Sequence, residues 1–324
     1  MYLSPSKSQT AVLLLVFNRP DTTSKVFKKI CEAKPPRLYI AGDGPREGSD
    51  EDTEKVNKVR DIVTKIDWPC EVKTLFRKKN LGCKKGVSKA ITWFFEQEEQ
   101  GIILEDDCVP HLDFFTFCES LLDRYAKDKR VSVITGNNFQ NNQWRGDASY
   151  YFSKYNHCWG WASWRRSWKV YQGDIKFWPK WKKSKDWLSC IPDKVERRYW
   201  ENIFENVYLK KIDSWAYPWT ANVWYKNGLT VTPNVNLVSN IGFGLNATHT
   251  KNDNSRSNKI PTQKIGTLKH SRIFERHLEA DRYTFDNHFN GKHLRYPYKL
   301  INFPIRAMKY FYFKIKNFKF YNSN

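Results

Sequence analysis

Three consecutive carboxylates, Glu105-Asp106-Asp107, stand directly behind the apolar run Gly101-Ile102-Ile103-Leu104 and ahead of Cys108-Val109-Pro110. An apolar run of four to eight residues that stops at punctuation reads as a buried strand. A strand ending in acids places them at the carboxyl edge of a sheet, where open α/β sheets bind ligands. Hard carboxylate oxygens there suit Mg²⁺ or Mn²⁺, ions usually held by one or two carboxylates together with a substrate's phosphates. The same acids could form a solvated turn. In a chain of formal charge +21, their concentration behind a buried strand favours the metal site.

Other polar residues fall at similar junctions. Arg19 lies in Asn18-Arg19-Pro20, immediately after the apolar run of residues 11–17. Asp43 sits between Gly42 and Gly44 at the end of Arg37-Leu38-Tyr39-Ile40-Ala41. Two glycines leave the backbone open to close approach by a ligand, although an Asp-Gly turn needs no ligand. Asn80-Leu81-Gly82 turns from a third strand into a helix. Farther along come the dense His157-Cys158-Trp159-Gly160-Trp161 block, Asp213-Ser214-Trp215 and a late His249. No glycine-rich phosphate loop of the P-loop or dinucleotide type is present, which disfavours ATP hydrolysis and nicotinamide chemistry.

The elements that must carry these residues alternate. Strands are predicted at residues 11–17, 37–41, 71–76, 101–104 and 131–135. Helices are predicted after Asp21, at 51–66, after Gly82 and at 111–126. Alternation of this kind defines an α/β unit with a largely parallel sheet. From about residue 140 the sequence becomes rich in Trp and Tyr with weak periodicity. Trp161, Trp164 and Trp168 fall at helical spacing and read as core, leaving Trp159 as the best platform for the apolar face of a sugar. Helices are expected near 193–210 and 219–227, with Gly228 as the stop of the second and a short strand at 229–232.

With 324 residues, 40% hydrophobic and 16% aromatic, the chain can bury a sizeable core in roughly two domains. Its 55 Lys and Arg against 34 Asp and Glu imply an anionic partner. Seven scattered cysteines without a C-x-x-C pair read as free thiols of a reducing compartment. The first seventeen residues carry neither a signal-peptide pattern nor a membrane span. The expected location is therefore the cytoplasm.

Taken in order, Asn18-Arg19-Pro20, Gly42-Asp43-Gly44, Asn80-Leu81-Gly82, Ile103-Leu104-Glu105-Asp106-Asp107 and His157-Cys158-Trp159-Gly160-Trp161 resemble bacterial nucleotide-sugar glycosyltransferases of the GT-A fold, related to N-acetylglucosaminyltransferase I. The resemblance covers roughly residues 10–250. It implies a nucleotide-diphospho-sugar transferase fold, with residues 1–135 holding the nucleotide sugar, 136–270 the acceptor half of the same catalytic domain, and 271–324 a C-terminal extension. It implies that Asp107 binds Mn²⁺ or Mg²⁺ against the diphosphate, with His249 near it. Glu105 and Asp106 would lie beside the ribose and donor sugar, and Asn80 and Trp159 within the donor site. Arg19 would meet the nucleotide or its diphosphate, and Asp43 would accept from N3–H of uracil. Asp213 is the segment's nearest match to the base of an inverting enzyme, although the second acid often found three residues later is Ala216 here. Asp213 could equally cap the next helix.

The implied partners are a UDP-sugar and a glycan or lipid-linked glycan acceptor. A sugar-nucleotide-forming nucleotidyltransferase is the nearest alternative, but it would place a glycine-rich basic loop where Asn18-Arg19-Pro20 stands. A nucleic-acid-binding protein would leave the acid triplet unexplained, so no nucleic acid is expected. Residues 296–324 contain six Lys or Arg and no acid among many aromatics. That composition suits either a segment lying on an anionic membrane surface or a last helix packed on the catalytic domain.

Overall fold

The computed structural model describes residues 9–242 and 260–298. His249 and residues 299–324 of the basic aromatic tail lie outside these. The first part of the chain alternates strictly. It runs through β1 (Val12–Val16), α1 (Pro20–Ala33), β2 (Arg37–Gly42), α2 (Asp50–Val63), β3 (Glu71–Phe76), α3 (Gly82–Gln97) and β4 (Gln100–Glu105). Short β5 (Cys108–Pro110), α4 (Asp113–Arg124) and β6 (Val131–Thr135) follow. The Trp-rich part contributes β7 (Tyr150–Ser153), β8 (Trp161–Trp164) and helices α5 (Arg165–Trp168), α6 (Trp178–Trp181), α7 (Lys185–Cys190), α8 (Lys194–Tyr208) and α9 (Ala216–Tyr225). After β9 (Leu229–Pro233) and β10 (Val238–Asn240), the described chain closes with α10 (Leu278–Asn287) and a single 3-10 turn.

Eight strands form one mixed sheet in the order β3-β2-β1-β4-β8-β6-β9-β7. Six run in one direction; β8 and β7 run against them. Both faces of the sheet are covered, so β1 is buried at every position. Because successive side chains point to opposite faces, Val12, Leu14 and Val16 join the core formed with α1, α2 and α4. Leu13 and Leu15 join the other, formed with α3 and most of the tryptophans.

The helical reading is corrected here for Trp161 and Trp164, whereas Trp168 ends α5 and all three rings are buried. Trp161 and Trp164 are the ends of β8, an antiparallel strand between β4 and β6. A separation of three puts them on opposite faces: Trp161 packs near Trp215 and Trp219, with ring centroids 5.8 Å away in each case, while the Trp164 indole donates to Leu122 O. A strand buried on both faces has no polar alternation, so spacing alone could not separate it from a helix. β7 and the small β5–β10 pair were absent from the sequence reading for the same want of signal. All seven cysteines are free. Among the described residues no helix is long and apolar enough to cross a membrane.

Candidate active site at the carboxyl edge of the sheet

β1 runs straight into α1, whose first residue is Pro20. Arg19 occupies the N-cap position without capping the helix through its side chain. Its guanidinium instead reaches across the sheet edge to the end of β4. One terminal nitrogen lies 2.7 Å from Asp106 Oδ1 and the other 2.8 Å from Asp107 Oδ2. Asp106 is almost wholly buried, and its second oxygen accepts the Phe17 N–H at 3.1 Å. Asp107 Oδ1 accepts the Cys108 thiol at 3.2 Å.

The β5–β10 ladder closes over this turn. Ile241 N–H donates to Asp107 O, and Gly242 lies against the Asp107 carboxylate. A Cβ at Gly242 would stand 2.0 Å from Asp107 Oδ2, so no side chain fits there without displacement. The loop after β1 is fixed from the other side, where Asn18 and Arg46 both bond Asp52 and Arg46 holds that carboxyl down to about 2.

Three carboxylates face one guanidinium, and the electrostatics show the excess. Burial, reinforced by Asp107 and Asp106, pushes Glu105 up to about 8 against the pull of Arg19. Burial pushes Asp106 up to about 6, again opposed by Arg19. Arg19 is desolvated too, but Asp106, Asp107 and Glu105 outweigh that and raise its pKa. Uncompensated negative charge from hard oxygen donors fits a divalent cation. No three described His, Cys, Asp or Glu side chains converge as a metal cage. The protein would thus offer one or two carboxylates, Asp107 foremost, and leave the remaining positions to phosphate and water, the usual arrangement for Mg²⁺.

Next to this cluster, the loops after β2 and β3 interlock. Asp43 Oδ2 accepts from Leu81 N and Gly82 N at 2.9 and 3.1 Å, tying down the start of α3. Asp43 Oδ1 is buried without a hydrogen-bond partner. Asn80 spends its amide on the same loops, donating to Gly44 O at 2.8 Å and accepting from Gly82 N at 3.0 Å.

Asp213 arrives from the Trp-rich part. Its Oδ2 lies 3.9 Å from where a Cβ on Gly82 would stand. It does not cap α9, which has Trp215 at its N-cap and no side-chain cap bond. Glu105 and Asp213 both bear on the Cys83 thiol, which burial and then these charges push up to about 12. Trp159 is partly exposed, flanked edge-on by Phe139 at 5.5 Å and His288 at 6.1 Å. The neighbouring Cys158 thiol is raised by burial and then by Glu105, which places this block beside the triplet.

The structure therefore brings Arg19, Asp43, Asn80, Glu105, Asp106, Asp107 and Asp213 to one edge, with Trp159 adjoining. Sequence reasoning missed Arg77, which follows β3 and lies beside Asp43; its signal was a position one residue past the strand end in register with Asp43. A cavity of about 290 Å³ lies elsewhere, lined by Lys154, Cys190, Trp224, Leu229 and Arg276 near the amino end of β9.

No protein-family model and no curated protein matches the chain. Among solved structures, HddC from Yersinia pseudotuberculosis is similar at 13% identity and a TM-score of 0.34, over 53% of this chain and 86% of that one. An apo UDP-glucose pyrophosphorylase is similar at 10% identity and a TM-score of 0.33, over 69% and 90% respectively. Overlaps this slight carry no functional weight, and the site must speak for itself.

Proposed function

We propose that the chain is a metal-dependent, inverting glycosyltransferase of GT-A type that moves a sugar from a UDP-sugar to a hydroxyl of a glycan or lipid-linked glycan. The observation that supports this best is the convergence, at the carboxyl edge, of a carboxylate cluster, one guanidinium and a separate exposed carboxylate, Asp213. Mn²⁺ or Mg²⁺ at Asp107 would supply charge neutralisation to the donor's diphosphate. Arg19 would share that task as the bond between the anomeric carbon and the diphosphate breaks and negative charge passes to a phosphate oxygen. Asp213 would take the proton from the acceptor hydroxyl as its oxygen bonds the anomeric carbon. Asp43 would accept the uracil N3–H, and Trp159 would offer its indole to a sugar.

In this reading residues 1–135 hold the donor and 136–270 shape the acceptor side. The extension from 271 would bring the enzyme to an anionic membrane surface that carries the acceptor. A panel of UDP-sugars with Mn²⁺ should yield slow UDP release for at least one donor, accelerated by an acceptor glycan. Pyrophosphate release from UTP and a sugar 1-phosphate, with no UDP release from any donor, would overturn the reading in favour of a nucleotidyltransferase.

A further inference from the structure

The cavity of about 290 Å³ at the start of β9 lies at the amino edge of the sheet, the opposite edge from Asp107. β7 runs against β9 with Ser153 opposite Thr230, so Lys154, the residue after β7, falls beside Leu229, where β9 begins. The backbone of Lys154 is fixed there, its carbonyl accepting the Trp224 indole N–H at 2.6 Å. Arg276 is brought to the same wall by a parallel bridge to Phe152 and by its Nη1, which donates to Cys190 O at 2.8 Å.

Only 3% of the Lys154 side chain is exposed, and Glu196 Oε1 stands 2.5 Å from its Nζ. That contact is an ion pair without hydrogen-bond geometry, and among the described residues the donors of Nζ bond nothing. The Tyr155 hydroxyl takes the same Glu196 oxygen. Buried donors left unspent are costly, and in native structures they call for an explanation. Arg276 pairs with Asp281, 2.5 Å from its Nε. Both carboxylates lie behind the wall: Lys154 and Arg276 line the cavity, whereas Glu196 and Asp281 do not. Burial lowers the Lys154 pKa, Glu196 opposes this and Arg276 adds to it, so the two cations are near enough to repel one another. The wall also holds Asp186 and Ser189, two exposed residues of α7. Asp186 would repel a bare anion, but it can accept from a ligand that also carries hydroxyls.

We infer that this cavity is a second ligand site, for a small sugar phosphate whose phosphate meets Lys154 and Arg276 and whose hydroxyls meet Asp186 and Ser189. A phosphate monoester carries about −1.5 to −2 charges at pH 7, which matches two cations on one wall. The volume stands at the bottom of the roughly 300–1,000 Å³ range of drug-sized pockets, which suits a single phosphorylated sugar and not a nucleotide sugar. Trp224 and Leu229 supply the apolar part of the lining. The site is remote from the carboxylate cluster, and the inference does not depend on the UDP-sugar reading.

The test titrates glucose 6-phosphate and inorganic phosphate calorimetrically into the full chain at constant ionic strength. EDTA is present throughout, so that no metal at Asp107 draws phosphate to the other edge. Glucose 6-phosphate should bind more tightly than phosphate, and Lys154→Met should weaken both about tenfold, the loss of one charged donor. Should that variant fail to fold, Ser189→Trp decides: it fills the cavity from an exposed position, leaves both ion pairs in place, and should abolish binding. Asp186→Ala should weaken glucose 6-phosphate and tighten phosphate. If neither ligand binds, or if Ser189→Trp binds as wild type does, the site is overturned. Phosphate bound as tightly as glucose 6-phosphate, with both tightened by Asp186→Ala, would overturn the sugar and leave a plain phosphate site.

Discussion

Arg19 bridges Asp106 and Asp107, with its two terminal nitrogens 2.7 and 2.8 Å from one oxygen of each. An arginine expected to meet the donor's diphosphate is held, in the protein alone, by Asp107, the carboxylate expected to meet the metal, and by its neighbour Asp106. Guanidinium cannot lose its proton in a protein, so a cation arriving at Asp107 must compete with Arg19 or displace it.

Removing that competitor should separate the two affinities. With Arg19→Met, Mn²⁺ titrated without nucleotide is expected to bind more tightly than to wild type, and UDP in the presence of Mn²⁺ more weakly. Calorimetry or the Mn²⁺ EPR signal reads both. Weaker Mn²⁺ binding in the variant would mean that Arg19 orients Asp107 for the metal instead of competing with it.

Asp107→Asn should keep the fold, since asparagine has the same shape and retains an oxygen to accept the Cys108 thiol, and should lower metal-dependent turnover by about 10²–10³-fold, the scale for removing one electrostatic stabiliser. Far-UV circular dichroism with UDP-release kinetics checks the pair. Turnover at the wild-type level, or wild-type turnover that survives EDTA, excludes the assignment.

Asp213→Asn is expected to cut turnover by about 10²–10⁴-fold, the usual yield of base catalysis, while UDP affinity stays within twofold of wild type. A collapse of UDP affinity would move Asp213 from the acceptor side to the donor side.

Acid should weaken the aromatic block behind Trp159. His288 stacks on Phe139 with centroids 3.8 Å apart and lies 5.3 Å from His157. Burial lowers His288 to about 4, and burial and then His288 hold His157 well below its usual range. A histidine whose folded pKa is depressed contributes stability above its unfolded value near 6.5, and that stability is lost as pH falls toward the folded value. Glu105 and Asp106, raised to about 8 and about 6, act in the opposite sense, because protonation relieves their repulsion. The histidine contribution is therefore read as a difference: between pH 7 and pH 4.5, urea midpoints should fall more for wild type than for His288→Phe. Parallel midpoints would place the acid sensitivity elsewhere.

Much of this site was legible because strands buried on both faces announce themselves as apolar runs, and the residues that break those runs are the ones at the sheet edge. Asp43, Asp107 and Arg19 each follow such a run within one to three residues. The Trp-rich part gave no comparable signal. Trp161 and Trp164 are separated by three, which satisfies a helix and equally a strand whose two faces meet different cores. Arg77 escaped notice for another reason: a lone arginine beside two lysines reads as surface charge until the backbone pairing with Gly42 shows what lies next to it.

The position of β8 has a consequence for the birth of the protein. β4, which carries the acid triplet, has β1 on one side and β8 on the other, and β8 also separates β4 from β6. On a ribosome adding roughly 5–20 residues per second, β4 spends several seconds with one edge unpaired while the chain through Trp164 is made. An apolar strand with an open edge is a template for wrong pairing. A chain truncated after β6 should therefore aggregate, and fusing a reporter at successive lengths would show soluble product only once β8 has emerged.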